Sequence, residues 1–81
     1  MLTQLKQGAK VVGVKQTKRA VHDGKAALVF LAQDADPRVT EPVEQMCAEC
    51  SVPVEWVPLM KELGSACGIA VPSAVAALLR T

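Results

Sequence analysis

Apolar positions change their period several times along the chain, and each change marks an element. Leu2, Leu5 and Ala9 recur at helical spacing and are followed by the β-branched run Val11-Val12-Gly13-Val14, which predicts a short helix and then a strand. A helix is expected to begin near Lys15. Residues Gln16 to His22 are polar apart from Ala20 and Val21, and Gly24 in Asp23-Gly24-Lys25 is a stop signal. Ala26 to Ala32 is an unbroken apolar run of strand length, the pattern of a central strand buried on both faces. Asp36 can then accept the free amide hydrogens of a helix start, and Pro37 suits the first helical position. That helix is expected from Pro37 to about Cys50, with Val39, Val43, Met46 or Cys47, and Cys50 on one stripe and Pro42 in the first turns. Pro53 punctuates. Val54-Glu55-Trp56-Val57 alternates as a half-exposed strand, and Leu59, Leu63 and Ala66 share one side of a helix ended by Gly68. Ala74 to Leu79 reads as a last strand. This αβαβαβαβ order predicts an α/β sandwich with helices on both sides of a four-stranded sheet.

The chain has 81 residues, enough for a single domain spanning 1–81. Its hydrophobic fraction of 51% against 21% charged supplies a core and argues against disorder. Aromatics are only 2%, Phe30 and Trp56, so a sheet that stacks bases on aromatic platforms, such as an RNA-recognition motif, is excluded. No apolar run approaches the roughly 20 residues of a membrane span, and Met1 to Lys10 lacks the apolar core of a signal peptide, so the expectation is a cytoplasmic protein. Nothing in the sequence demands more than a monomer. Three cysteines, an odd number, read as reduced thiols. The charge is unevenly spread. Lys6, Lys10, Lys15, Lys18, Arg19 and Lys25 against Asp23 make residues 1–25 +5, while the remainder is −4. One end or face of the molecule is therefore expected to seek anions.

Cys47-Ala48-Glu49-Cys50 has the spacing of a zinc or redox half-site. Only Cys67 and His22 remain to complete four zinc ligands, and a redox pair should open a helix whereas this one closes it. Cysteine as a small buried hydrophobe is the better reading, with no metal or other cofactor. Asp34 and Asp36 fit capping better than acid–base work, and His22 has no nucleophile in a motif around it. Gly8 and Gly13 have the spacing that opens a phosphate loop, but Val14 and Lys15 stand where that loop requires Lys and then Ser or Thr. No catalytic site assembles, and the chain reads as a non-enzyme.

The informative segment is Gly13-Val14-Lys15-Gln16-Thr17-Lys18-Arg19-Ala20-Val21. Lys15 and Gln16 stand at a helix N-terminus directly after a glycine that permits close backbone approach, and Arg19 follows one turn later. Free amide hydrogens there attract phosphate, while Lys and Gln can reach base edges. At this segment the sequence resembles the kink-turn RNA-binding ribosomal-protein family, the seven-Ae and thirty-e group, and is most similar to its small bacterial YbxF-like members. A second block, Met60 to Ala74, resembles the family's Leu-Gly, small-residue, Gly-Ile/Leu, Val-Pro signature, and the Asp34-Ala35-Asp36-Pro37 turn lies between.

The resemblance covers nearly the whole chain. It implies a three-layer α/β/α sandwich with a mixed four-stranded sheet, and a ligand: duplex RNA bent at a three-nucleotide bulge followed by tandem sheared G·A pairs, in ribosomal RNA or a structured messenger element. By resemblance, Gly13 matches the family glycine, Val14 stands at its Thr, Lys15 at its Asn, Gln16 at its Glu and Arg19 at its Lys. Lys18 adds phosphate-neutralising charge, and the loop Ile69, Ala70 and Val71 would lie against the bulge nucleotides. The competing expectations are a protein–protein interaction module on the same fold, which predicts no RNA binding even at low salt, and a redox or metal enzyme using the cysteines.

Overall fold

The apolar run at the middle of the chain organises everything else. A computed structural model describes residues 8–80, with β1 (Lys10–Val12), α1 (Val14–His22), β2 (Ala26–Ala32), α2 (Pro37–Glu49), β3 (Val54–Val57), α3 (Met60–Ala66) and β4 (Val75–Leu79) in chain order. The sheet order is β1-β4-β2-β3. β2 runs antiparallel to β4 and parallel to β3, and β4 is antiparallel to β1, so the sheet is mixed and β2 is interior as its composition predicts.

Side chains of a strand alternate between faces, and β2 uses both. Val29 and Leu31 join Ala20 and Val21 of α1 and Val43 and Cys47 of α2 in one core cluster. Phe30 and Ala32 join Leu63 and Ala66 of α3 in the other. α1 and α2 therefore cover one face of the sheet and α3 the opposite face, giving the expected three layers. An irregularity in the pairing between Ala26 and Leu28 shifts the alternation by one, so Ala26 packs with Val29 and not with Leu28.

Several boundaries differ from expectation. Leu2 and Leu5 of the expected opening helix lie outside the described residues, and Ala9 is exposed and not helical. The strand expected through Val14 stops at Val12, because Gly13 takes φ 105°, outside extended backbone, and turns the chain directly into α1 with Val14 as its first residue. Pro42 sits beyond the first turn of α2; the bond its nitrogen cannot make would go to the exposed Arg38, whose carbonyl water can serve. The apolar stripe of α2 ends at Cys47. Cys50 is exposed at the helix C-cap, since Ser51 adopts φ 58° and swings Val52 into the core instead.

The acidic turn after β2 serves two helices. Asp36 caps α2, accepting from the Arg38 amide at 2.9 Å while its carboxylate also pairs with the Arg38 guanidinium at 2.8 Å. Asp34 reaches across the fold and accepts from the amide of Met60, first residue of α3, at 2.7 Å.

Candidate nucleic-acid interface

α1 begins without a cap. Gly13 precedes it with no side chain to accept an amide hydrogen, no acidic residue lies in its first turn, and the first intrahelical bond is Thr17 to the Gly13 carbonyl at 3.0 Å. The amide hydrogens of Val14, Lys15 and Gln16 precede that bond, so they have no helical acceptor. A helix start of this kind carries partial positive charge, and here the side chains add to it. Thr17, fully buried, together with Ala20 and Val21, fixes the inward face, and Val14 packs half-buried against the same core. Lys15, Gln16 and Arg19 are consequently turned to solvent, with Lys18 half-buried beside them. An ideal Cβ on Gly13 would meet nothing within 4 Å, so a ligand has room to approach its backbone.

The second sequence block forms the return from α3 to β4. Gly68, at φ 78°, reverses the chain, and the Ile69 amide donates back to the Gly64 carbonyl at 3.1 Å. The returning strand of the loop presses on α3 at Gly64: an ideal Cβ there would overlap the Val71 carbonyl oxygen and stand 3.2 Å from the Pro72 Cα. Supported in this way, Ile69 and Val71 still point outward, at 36% and 62% exposure, and Ala70 between them is exposed.

The two blocks meet at one atom. The Val75 carbonyl oxygen accepts from the Gly13 amide at 2.9 Å and from the Ser73 hydroxyl at 2.8 Å, which joins the start of α1 to the end of the loop. Ser73, 6% exposed, also donates its amide to the Met60 carbonyl at 3.0 Å, and the Asp34 carboxylate holds the Met60 amide in turn. The arrangement thus offers an anion-seeking helix start beside an exposed apolar loop. Not all of the basic residues gather there. Lys25 follows the far end of α1, roughly 13 Å of helix away, and Lys10 on β1 lies beside Cys67.

Ser73, Gly64 and Asp34 fall within the segments that resemble the family, but none of them was expected as a site residue. Apart from that resemblance Gly64 carried one signal, a glycine inside a helix where alanine is intrinsically better, which implies a packing reason.

Chemistry elsewhere is sparse. Cys47 belongs to the core cluster under α1 and α2 and Cys67 to the one under α3, so the sheet separates them. Burial pushes both thiols up, neighbouring Cys50 and Glu44 adding to the rise at Cys47, while Lys10 opposes it at Cys67. No three His, Cys, Asp or Glu side chains among the described residues gather as metal ligands, and no helix among them is long and apolar enough to cross a membrane. The Arg38 guanidinium and amide hold the Asp36 carboxyl below its ordinary value, and His22 lies exposed against Asp23.

Comparison with known proteins places the fold. An RNA-binding protein of Geobacillus sp. (strain WCH70) is 47% identical over 76 residues, which cover 94% of this chain and 93% of that protein. The RNA-binding protein YbxF of Geobacillus stearothermophilus is 46% identical with the same coverage. Among solved structures, the Giardia lamblia 15.5kD RNA binding protein superposes with a TM-score of 0.92 at 32% identity, covering 99% of this chain and 71% of its own. A protein with unknown function from Bacillus halodurans superposes at 0.87 with 26% identity, covering 99% of this chain and 84% of its own. Residues 2–81 match the Ribosomal protein L7Ae/L30e/S12e/Gadd45 family, and the chain belongs to that family.

Proposed function

We propose that this protein is a non-catalytic RNA-binding protein that recognises kink-turn RNA and stabilises its bent form, as a cytoplasmic, single-domain monomer associated with the ribosome. The observation that carries the reading is the convergence on Val75 of an uncapped, basic helix start and an exposed apolar loop. A bent duplex with extruded bases asks for both surfaces at once. Crowded phosphates at the bend are met by the free amide hydrogens of α1 and by Lys15, Lys18 and Arg19. Gln16, exposed beside Lys15, has the length and the paired donor and acceptor to read base edges, and the open space at Gly13 lets the backbone come close, where the Val14 amide has no helical acceptor. Ile69, Ala70 and Val71 give unstacked bulge bases an apolar surface. A protein that binds only the bent form draws the RNA population toward it by mass action, with no chemical step.

The reading is tested by titrating the protein with a kink-turn RNA, the same RNA with its sheared G·A pairs converted to Watson–Crick pairs, and the same RNA without its bulge. Bending is followed by fluorescence transfer between the two helical arms. The expected result is tight binding with compaction for the intact RNA alone. Equal affinity for all three RNAs, or no binding at low salt, would refute it; the latter is the outcome expected of a protein–protein module.

A further inference from the structure

We infer that Ser73 is a positioning residue for recognition: its hydroxyl, sharing the Val75 carbonyl with the Gly13 amide, holds the Ile69–Val71 loop at a fixed offset from the first turn of α1. The inference rests on the RNA-binding reading above. A carbonyl oxygen has two lone pairs, and both of Val75's are used, one by each RNA-facing segment, at 2.8 and 2.9 Å. Val75 is fully buried, so neither donor can leave without stranding polar groups away from water.

The Ser73 hydroxyl is not needed to hold β4. That strand is paired on both sides, Val75 with Leu31 and Ala76 with Val12 and Phe30. What the hydroxyl does restrain is the last link of the loop. The loop is pinned at its start by the Ile69 amide on Gly64, in its middle by the Val71 contact with Gly64, and at its end by Ser73, whose amide is also held by Met60. Apolar side chains that would otherwise explore many positions are thereby fixed where a base can use them, and fixing them before binding removes an entropic cost from the bound state.

The test compares wild type, Ser73→Ala and Ser73→Thr, each checked by thermal melting. In the free protein, amide hydrogen exchange should quicken at Ile69 and Gly13 in Ser73→Ala while the amides of β2 exchange as before. With RNA, Ser73→Ala should lose about tenfold in affinity for the intact kink-turn, the order of one neutral hydrogen bond. It should bind bulge-less RNA as wild type does, and Ser73→Thr, which keeps the hydroxyl, should restore most of the loss. Unchanged exchange at Ile69 and Gly13, or an equal loss on both RNAs, overturns the positioning role. Failure of wild type itself to prefer the intact RNA indicts the RNA reading instead, and the exchange measurement still decides whether Ser73 couples the two segments.

Discussion

Replacing Gly64 by alanine sets two well-calibrated effects against each other. Inside an exposed helix the change should stabilise by about 1 kcal/mol, because alanine loses less backbone freedom on folding. Here the added methyl overlaps the Val71 carbonyl oxygen and presses on the Pro72 Cα at 3.2 Å, and both are backbone atoms that no rotamer change can clear. To restore ordinary contact the loop must retreat by about 1 Å. Overpacking of this kind costs roughly 3 kcal/mol at the upper end of its range, leaving a net loss of about 2 kcal/mol and a fall in Tm on the order of 10 °C for a domain this small. The displaced loop carries Ile69 and Val71 away from their supported positions, so affinity for bulge-containing RNA should drop several-fold while binding of bulge-less RNA stays put. Thermal melts by circular dichroism and paired RNA titrations measure both. A Gly64→Ala protein that melts at or above wild type shows that the loop does not rest on α3 and that the reasoning is wrong.

Gln16→Ala should cost on the order of 1 to 3 kcal/mol and relax the preference for sheared G·A pairs, whereas Lys18→Ala should weaken all RNAs alike and lower the salt slope by about one; a Gln16→Ala loss equal on intact and G·A-disrupted RNA removes the base-reading role. Val71→Ala should fold normally and lose a modest part of its affinity at unchanged salt slope, and Val71→Asp should lose more by setting a carboxylate near phosphates. Wild-type binding by both, in parallel titrations, would exclude the loop from recognition. In native protein a disulfide reagent should modify exposed Cys50 promptly and reach Cys47 and Cys67 only on unfolding, because burial both shields those thiols and raises their pKa; three equal rates would contradict the placement. Asp36, its pKa lowered by Arg38, adds stability that is present above the ordinary carboxylate range and is lost as pH falls through its depressed value. Solvent screening keeps that contribution small, so acid melting curves of wild type and Asp36→Asn should converge at low pH, and a constant gap between them would refute the linkage.

Much of this protein could be read along the chain because its elements are specified locally. The unbroken run Ala26 to Ala32 announced a strand buried on both sides, and β2 is interior with core clusters on its two faces. Asp36-Pro37 marked the start of α2 because a cap and a proline act on their own first turn. The Gly13 to Arg19 segment could be singled out for the same reason, since glycine, helix start and outward polar residues are a property of seven consecutive positions. Pattern alone misplaced the end of β1 and the end of the α2 stripe, both at residues whose φ is positive or adjoins a positive one, Gly13 and Ser51. Only the tertiary structure could decide that Asp34 serves Met60, 26 positions away, that Gly64 makes room for Val71, and that Gly13 and Ser73 share the carbonyl of Val75. Capping and amphipathic period act over one or two turns of chain, whereas the distance between α1 and the loop is set by the order β1-β4-β2-β3, which places the end of β1 beside the start of β4.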